Sequence, residues 1–64
     1  MTLKIGAVYK NTEDSSLWEL RRIRGSIVYI SLVNTLPIYS TKRITMKGFK
    51  ERYTFDTIYN ILYK

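Results

Sequence analysis

A chain of 64 residues without a single Cys or His has one way left to hold a fold, which is apolar side chains packed around one small core. A domain this short buries only ~60% of its unfolded surface. Disulfides or a structural metal often make up the deficit in small proteins, and a chain with this composition can form no disulfide and no Cys/His zinc site. Trp18, Phe49, Phe55, the six tyrosines and the Ile, Leu and Val residues must therefore supply the core. Oligomerisation is the remaining route to extra stability.

The same absence narrows the chemistry. No thiolate nucleophile, imidazole base or Cys/His zinc site can be built. The acids are Glu13, Asp14, Glu19, Glu51 and Asp56, and only the first two are adjacent, in a polar stretch. No spacing among them assembles a two-carboxylate hydrolase or a magnesium site. The composition points to a single non-enzymatic domain over residues 1–64 that acts by binding and carries no cofactor. Residues 1–6 lack the apolar segment of a signal peptide. The longest apolar stretch, Ile27 to Val33, is interrupted by Ser31 and far shorter than the ~20 residues of a membrane span. The expected location is cytoplasmic, with no membrane partner.

Periodicity of two marks the chain as β-rich. Leu3, Ile5, Ala7 and Tyr9 alternate with Lys4, Gly6, Val8 and Lys10, which predicts a half-buried first strand. Residues 11–16 form a polar turn whose side chains bond their own backbone. A second strand is expected from Leu17 to Arg24 and a third from Ile27 to Asn34. Gly25-Ser26 joins them as a two-residue loop with Gly at the first central position, as a type II′ turn requires.

That hairpin contains a conflict. Regular pairing from a two-residue loop places Arg21 opposite Ile30 and Glu19 opposite Leu32, turning Trp18 and Leu20 outward. One extra residue at Arg21-Arg22 restores Trp18 and Leu20 to the face of Ile30 and Leu32. A bulge is predicted there, with the strand-two arginines outward near Tyr29 and Trp18 in the core.

Residues 35–40 read as a loop because Pro37 disfavours a central strand. A fourth strand follows from Thr41 to Met46, with Ile44 and Met46 inward. The i, i+3, i+7 spacing of Met46, Phe49 and Tyr53 predicts a short helical turn that Thr45 caps. Gly48 reads as local turn chemistry. A fifth strand is expected near residues 53–57. The remainder fits either a strand or a helix, the latter capped by Asp56 with Ile58, Ile61 and Leu62 on one face.

The runs Lys4-Ile5-Gly6-Ala7-Val8-Tyr9, Leu17-Trp18-Glu19-Leu20, Val28-Tyr29-Ile30 and Arg43-Ile44-Thr45-Met46, with Phe49 and Tyr53, resemble small SH3-like proteins of phages and mobile elements. The resemblance spans roughly residues 3–55 and rests on core and turn positions. It implies a mainly β fold, a small five-stranded SH3-like barrel with a short helical turn. It also implies an accessory regulator or an antagonist of host machinery, and it carries no site residue across. In architecture and size the chain is also similar to the small basic chromatin proteins of hyperthermophilic archaea, which lay a triple-stranded sheet on the DNA minor groove. It lacks their lysine density.

Charge supplies the functional lead. The chain carries +6, and from Leu20 to Lys50 it has seven cations and no acid: Arg21, Arg22, Arg24, Lys42, Arg43, Lys47 and Lys50. Arginines beside an exposed aromatic such as Tyr29 suit phosphate contacts combined with base stacking. DNA or RNA is accordingly the expected partner. The bland alternative is a charged surface that serves only solubility. A host protein is the other partner class, and a patch of Leu36, Ile38, Tyr39, Tyr59 and Tyr63 would receive it or support a homo-oligomer.

Overall fold

The computed structural model describes residues 3–33 and 40–63. Its elements are β1 (Val8–Asn11), β2 (Leu17–Arg24), β3 (Ile27–Leu32), β4 (Thr41–Thr45), α1 (Met46–Arg52), β5 (Tyr53–Phe55) and α2 (Thr57–Tyr63). The fold is mainly β, with all five strands in one antiparallel sheet of order β4-β3-β2-β1-β5. Consecutive strands pair from β1 to β4. The chain then returns through α1 so that β5 lies on the free side of β1. Among the described residues no helix is long and apolar enough to cross a membrane.

The hairpin follows the parity argument. Leu20 pairs with Ile30 and Trp18 with Leu32, while Arg22, Ile23 and Arg24 pair with Tyr29, Val28 and Ile27, so Arg21 is the extra residue of a bulge. Gly25 adopts φ +60°, and Ser26 is not among the positive-φ residues, as a type II′ loop requires. The bulge lies just beyond the pairing of β2 with β1, whose last backbone bonds join Leu20 to Ala7 and Gly6. The ladder to β1 is therefore undisturbed.

The core gathers Ala7, Tyr9, Trp18, Leu20, Val28, Ile30, Phe49 and Tyr53, with Leu3, Leu32, Ile44 and Met46 packed against it. Tyr9 meets Phe49 edge-on at 5.0 Å between centroids, and Phe49 stacks on Tyr53 at 4.9 Å. The buried hydroxyl of Tyr9 accepts from the Lys4 amide at 3.1 Å. Trp18 is buried as expected, and its indole N–H donates to Ser16 Oγ at 2.8 Å. Thr45 caps α1 by accepting from Gly48 N–H at 3.1 Å. A Cβ at Gly48 would lie 3.1 Å from that hydroxyl, which explains a glycine inside so short a helix.

Four boundaries differ from expectation, the simplest being that β3 ends at Leu32, with Val33 in a turn and Asn34 outside the described residues. The first strand begins at Val8, because a turn with Gly6 at φ +90° interrupts the alternation and leaves Ile5 54% exposed. Ala7, Val8 and Tyr9 are all buried, so both sides of β1 are covered and period two fails there. Met46 opens α1 instead of ending β4, since the Thr45 cap draws it into the helix while it still packs on the core. Strand five stops at Phe55, and the tail is helical from Thr57. Asp56 starts this helix as expected, accepting from Tyr59 N–H at 2.8 Å.

The helix α2 is docked by one polar side chain. Asn60 Oδ1 accepts from Val8 N–H at 3.0 Å, and Asn60 Nδ2 donates to Val8 C=O at 2.9 Å. The amide thus mimics a strand residue, extending the ladder on β1 where β5 has ended.

Candidate functional site

The β2–β3 hairpin and β4 form one side of the five-stranded sheet, and the two faces of this part differ in chemistry. Val28 and Ile30 point inward and are fully buried. Tyr29 lies between them in β3 and therefore points outward. Its direct cross-strand partners are Arg22 on β2 and Arg43 on β4. An Arg–Tyr–Arg row thus crosses three strands, about 10 Å wide at the usual strand spacing. The Arg22 guanidinium sits over the Tyr29 ring, 5.4 Å from its centroid. Arg24 shares this outward parity beside Ile27 at the hairpin tip. Arg22, Arg24 and Arg43 are all exposed.

Arg21 leaves the bulge towards Glu19, with Nη1 3.8 Å from Oε1. Its side chain is 55% exposed, so this pair is worth only a few tenths of a kcal/mol. Glu19 has the outward parity of Tyr29, opposite Ser31. The run from Leu20 to Lys50 that is free of acids in sequence therefore does not produce a face free of acids. The face is basic towards the hairpin tip and carries one carboxylate at its other end.

The remaining cations do not join this row. Lys42 pairs with Ile30 and so has the inward parity, at the end of an edge strand. Its ammonium lies 4.9 Å from the Trp18 ring centroid, where it lids the core. Adjacent in sequence, Lys42 and Arg43 point to opposite sides of the sheet. Lys47 and Lys50 are exposed on α1. The first helical residue, Met46, donates to Ser26 C=O at 2.7 Å, which ties this helix to the hairpin tip near Arg24. Lys50 stands in the last turn of α1, where a cation offsets the helix dipole.

Of the second expected patch, Leu36, Ile38 and Tyr39 lie outside the described residues. Tyr59 and Tyr63 do meet, with ring centroids 4.8 Å apart on α2. Tyr63 is exposed, and so are Ile58, Ile61 and Leu62. Sequence reasoning placed these aliphatics on one helical face but did not predict that this face would turn away from the protein.

One carboxylate has a shifted titration. Asp14, in the β1–β2 turn, lies below the usual aspartate range because the Ser16 side chain hydrogen-bonds to it, helped by the Ser16 backbone amide. This carboxylate is fully exposed and serves the turn. No protein-family model, curated protein or solved structure matches the chain.

Proposed function

We propose that this protein is a small accessory or regulatory module that binds nucleic acid and performs no catalysis. The outer face of β2, β3 and β4 is the contact surface. In this reading Arg22, Arg24 and Arg43 contact phosphates and Tyr29 offers a ring for stacking against a base or sugar. The observation that carries the reading is the Arg22–Tyr29–Arg43 row, in which strand pairing sets an arginine on either side of a half-exposed aromatic ring and one guanidinium over it.

Such a surface suits backbone recognition. Arginine presents several donors in a planar fork that matches phosphate oxygens. Base stacking on tyrosine tolerates any sequence. The +6 charge adds long-range attraction and a fast on-rate. Lys42, Lys47 and Lys50 contribute to that general field from outside the row.

Fluorescence anisotropy with labelled single-stranded and duplex oligonucleotides tests the proposal. At ~50 mM salt, binding is expected at micromolar protein and weakens steeply as salt rises. Tyr29→Ala is expected to weaken single-strand binding roughly 5- to 150-fold, the equivalent of about 1–3 kcal/mol for loss of one stacked base. Absence of binding at tens of micromolar protein, with either form, would overturn the reading.

A further inference from the structure

The helix α2 is amphipathic in the reverse sense. Its polar residue Asn60 faces its own domain and grips the Val8 backbone. Its aliphatic residues Ile58, Ile61 and Leu62, spaced i, i+3, i+4, point away and are 70%, 74% and 66% exposed. Three aliphatic side chains on one helical face in water are a standing hydrophobic loss that monomers ordinarily avoid. Beside the helix lies a hollow of about 430 Å³ lined by Lys4, Ile5, Gly6, Ala7, Phe55 and Asn60. A second hollow of about 260 Å³, which shares Phe55 with the first, is lined by Lys10, Thr54, Asp56, Thr57 and Ile58. The exposed Phe55 borders both hollows, with Ile5 on the far side of the first and Ile58 of the helix stripe at the edge of the second, so ridge and hollows are neighbours.

We propose that this surface pairs with a second copy of the same chain in a two-fold dimer, the α2 ridge of each copy seating in the hollow of the other. Three observations select a second copy over other occupants. First, the patch is self-complementary, since ridge and hollow lie side by side, as a two-fold interface demands. Second, residues 57–63 carry no charge in a chain of net +6, so the ridge brings no cation of its own into the hollow, where it meets Lys4 at the wall. An acidic partner would instead be drawn to the arginine face. Third, Ile5, Phe55, Ile58, Ile61 and Leu62 present on the order of 500 Å² of exposed side chain per copy, towards the lower end of the ~600–1,000 Å² per partner of standard interfaces. Dimerisation also supplies burial that a chain of this size without cross-links otherwise lacks. The proposal is independent of nucleic-acid binding, which uses a different face.

Sedimentation equilibrium between ~10 and ~500 µM protein tests it, alongside Ile61→Glu, Leu62→Ser and, as control, Lys50→Ala. The wild type and the control are expected to pass from monomer to dimer mass within that range. High salt should leave this equilibrium intact, in contrast to nucleic-acid binding. Ile61→Glu is expected to weaken the dimer ~100-fold or more, because a symmetric interface loses the residue twice. Position 61 is exposed, so circular dichroism of Ile61→Glu should match the wild type, with Leu62→Ser as the milder second variant. A wild type that stays monomeric throughout overturns the proposal, whether or not it binds neutral lipid vesicles. A dimer unaffected by Ile61→Glu, or an open series of higher oligomers, overturns it equally.

Discussion

Replacing Asn60 with Ala tests how α2 and β1 are held together, and its cost can be worked from the structure. The substitution removes three side-chain bonds, with Val8 N–H at 3.0 Å, Val8 C=O at 2.9 Å and Asp56 C=O at 2.6 Å. Two of the three partners retain another bond. Val8 C=O still accepts from Asp56 N–H at 3.1 Å, and Asp56 C=O still accepts from the residue 60 amide at 3.1 Å. The Val8 amide loses its partner in a residue that is 0% exposed. An orphaned buried donor costs about 1–3 kcal/mol, whereas losing a bond whose partner stays satisfied costs about 1 kcal/mol or less. The expected destabilisation is therefore ~2–3 kcal/mol, dominated by the Val8 amide. In a domain of this size that lowers Tm by roughly 10–20 °C. Urea unfolding followed by Trp18 fluorescence should show a lower midpoint at unchanged slope. Asn60→Asp sharpens the test. At neutral pH its carboxylate still accepts from Val8 but faces two carbonyl oxygens with no proton to donate. Its folded-state pKa is then raised, so its stability is fully present below the unfolded value and lost as pH rises through the folded one. A loss below ~0.5 kcal/mol for Asn60→Ala would show that water replaces the side chain at Val8 and would refute the argument.

Three further outcomes follow from the same geometry. Deleting Arg21 leaves Leu20 opposite Ile30 and Arg22 opposite Tyr29 in a regular ladder, so this variant should fold with native near-ultraviolet circular dichroism. Deleting Glu19 instead turns Trp18 to the outer face and should unfold the protein, a contrast that two thermal melts can check. Ser16→Ala removes the main hydrogen bond that depresses Asp14, so its carboxyl should titrate closer to 3.8 by NMR. Because the folded value is the lower one, the wild-type contribution is present above the unfolded pKa and lost as pH falls through the folded one. The variant should accordingly show a smaller loss of stability with acid.

The parts of the fold that were legible from sequence are those where one local rule met one face. Two-residue turn chemistry at Gly25 fixed the register, and the burial of Trp18 and Leu20 then required the bulge at Arg21. The Thr45 cap and the Phe49–Tyr53 spacing were legible for the same reason. The start of β1 was not, because a glycine at positive φ looks like any other member of an alternating run. Nor could the sequence decide the tail. A helix whose polar residue docks and whose aliphatic residues face water inverts the usual rule, and only the distant partner Val8 explains it. The candidate face was half legible. Parity placed the strand-two arginines near Tyr29, of which Arg22 and Arg24 share its face while Arg21 turns to Glu19, and Lys42 and Arg43 are neighbours in sequence and opposites in space. Glu19 entered the face because a charge run counted along the chain ignores which side each residue takes.

The central claim is that the outer face of β2, β3 and β4 meets phosphate, and the salt dependence of binding tests it most directly. With Arg22, Arg24 and Arg43 as contacts on duplex DNA, a plot of log affinity against log salt should have a slope of about −2.7, at −0.9 per phosphate. The double variant Arg22→Gln, Arg43→Gln should flatten the slope to about −0.9, while Lys47→Gln with Lys50→Gln leaves it close to the wild-type value. A slope unchanged by the arginine pair, or flattened by the lysine pair instead, would contradict the account.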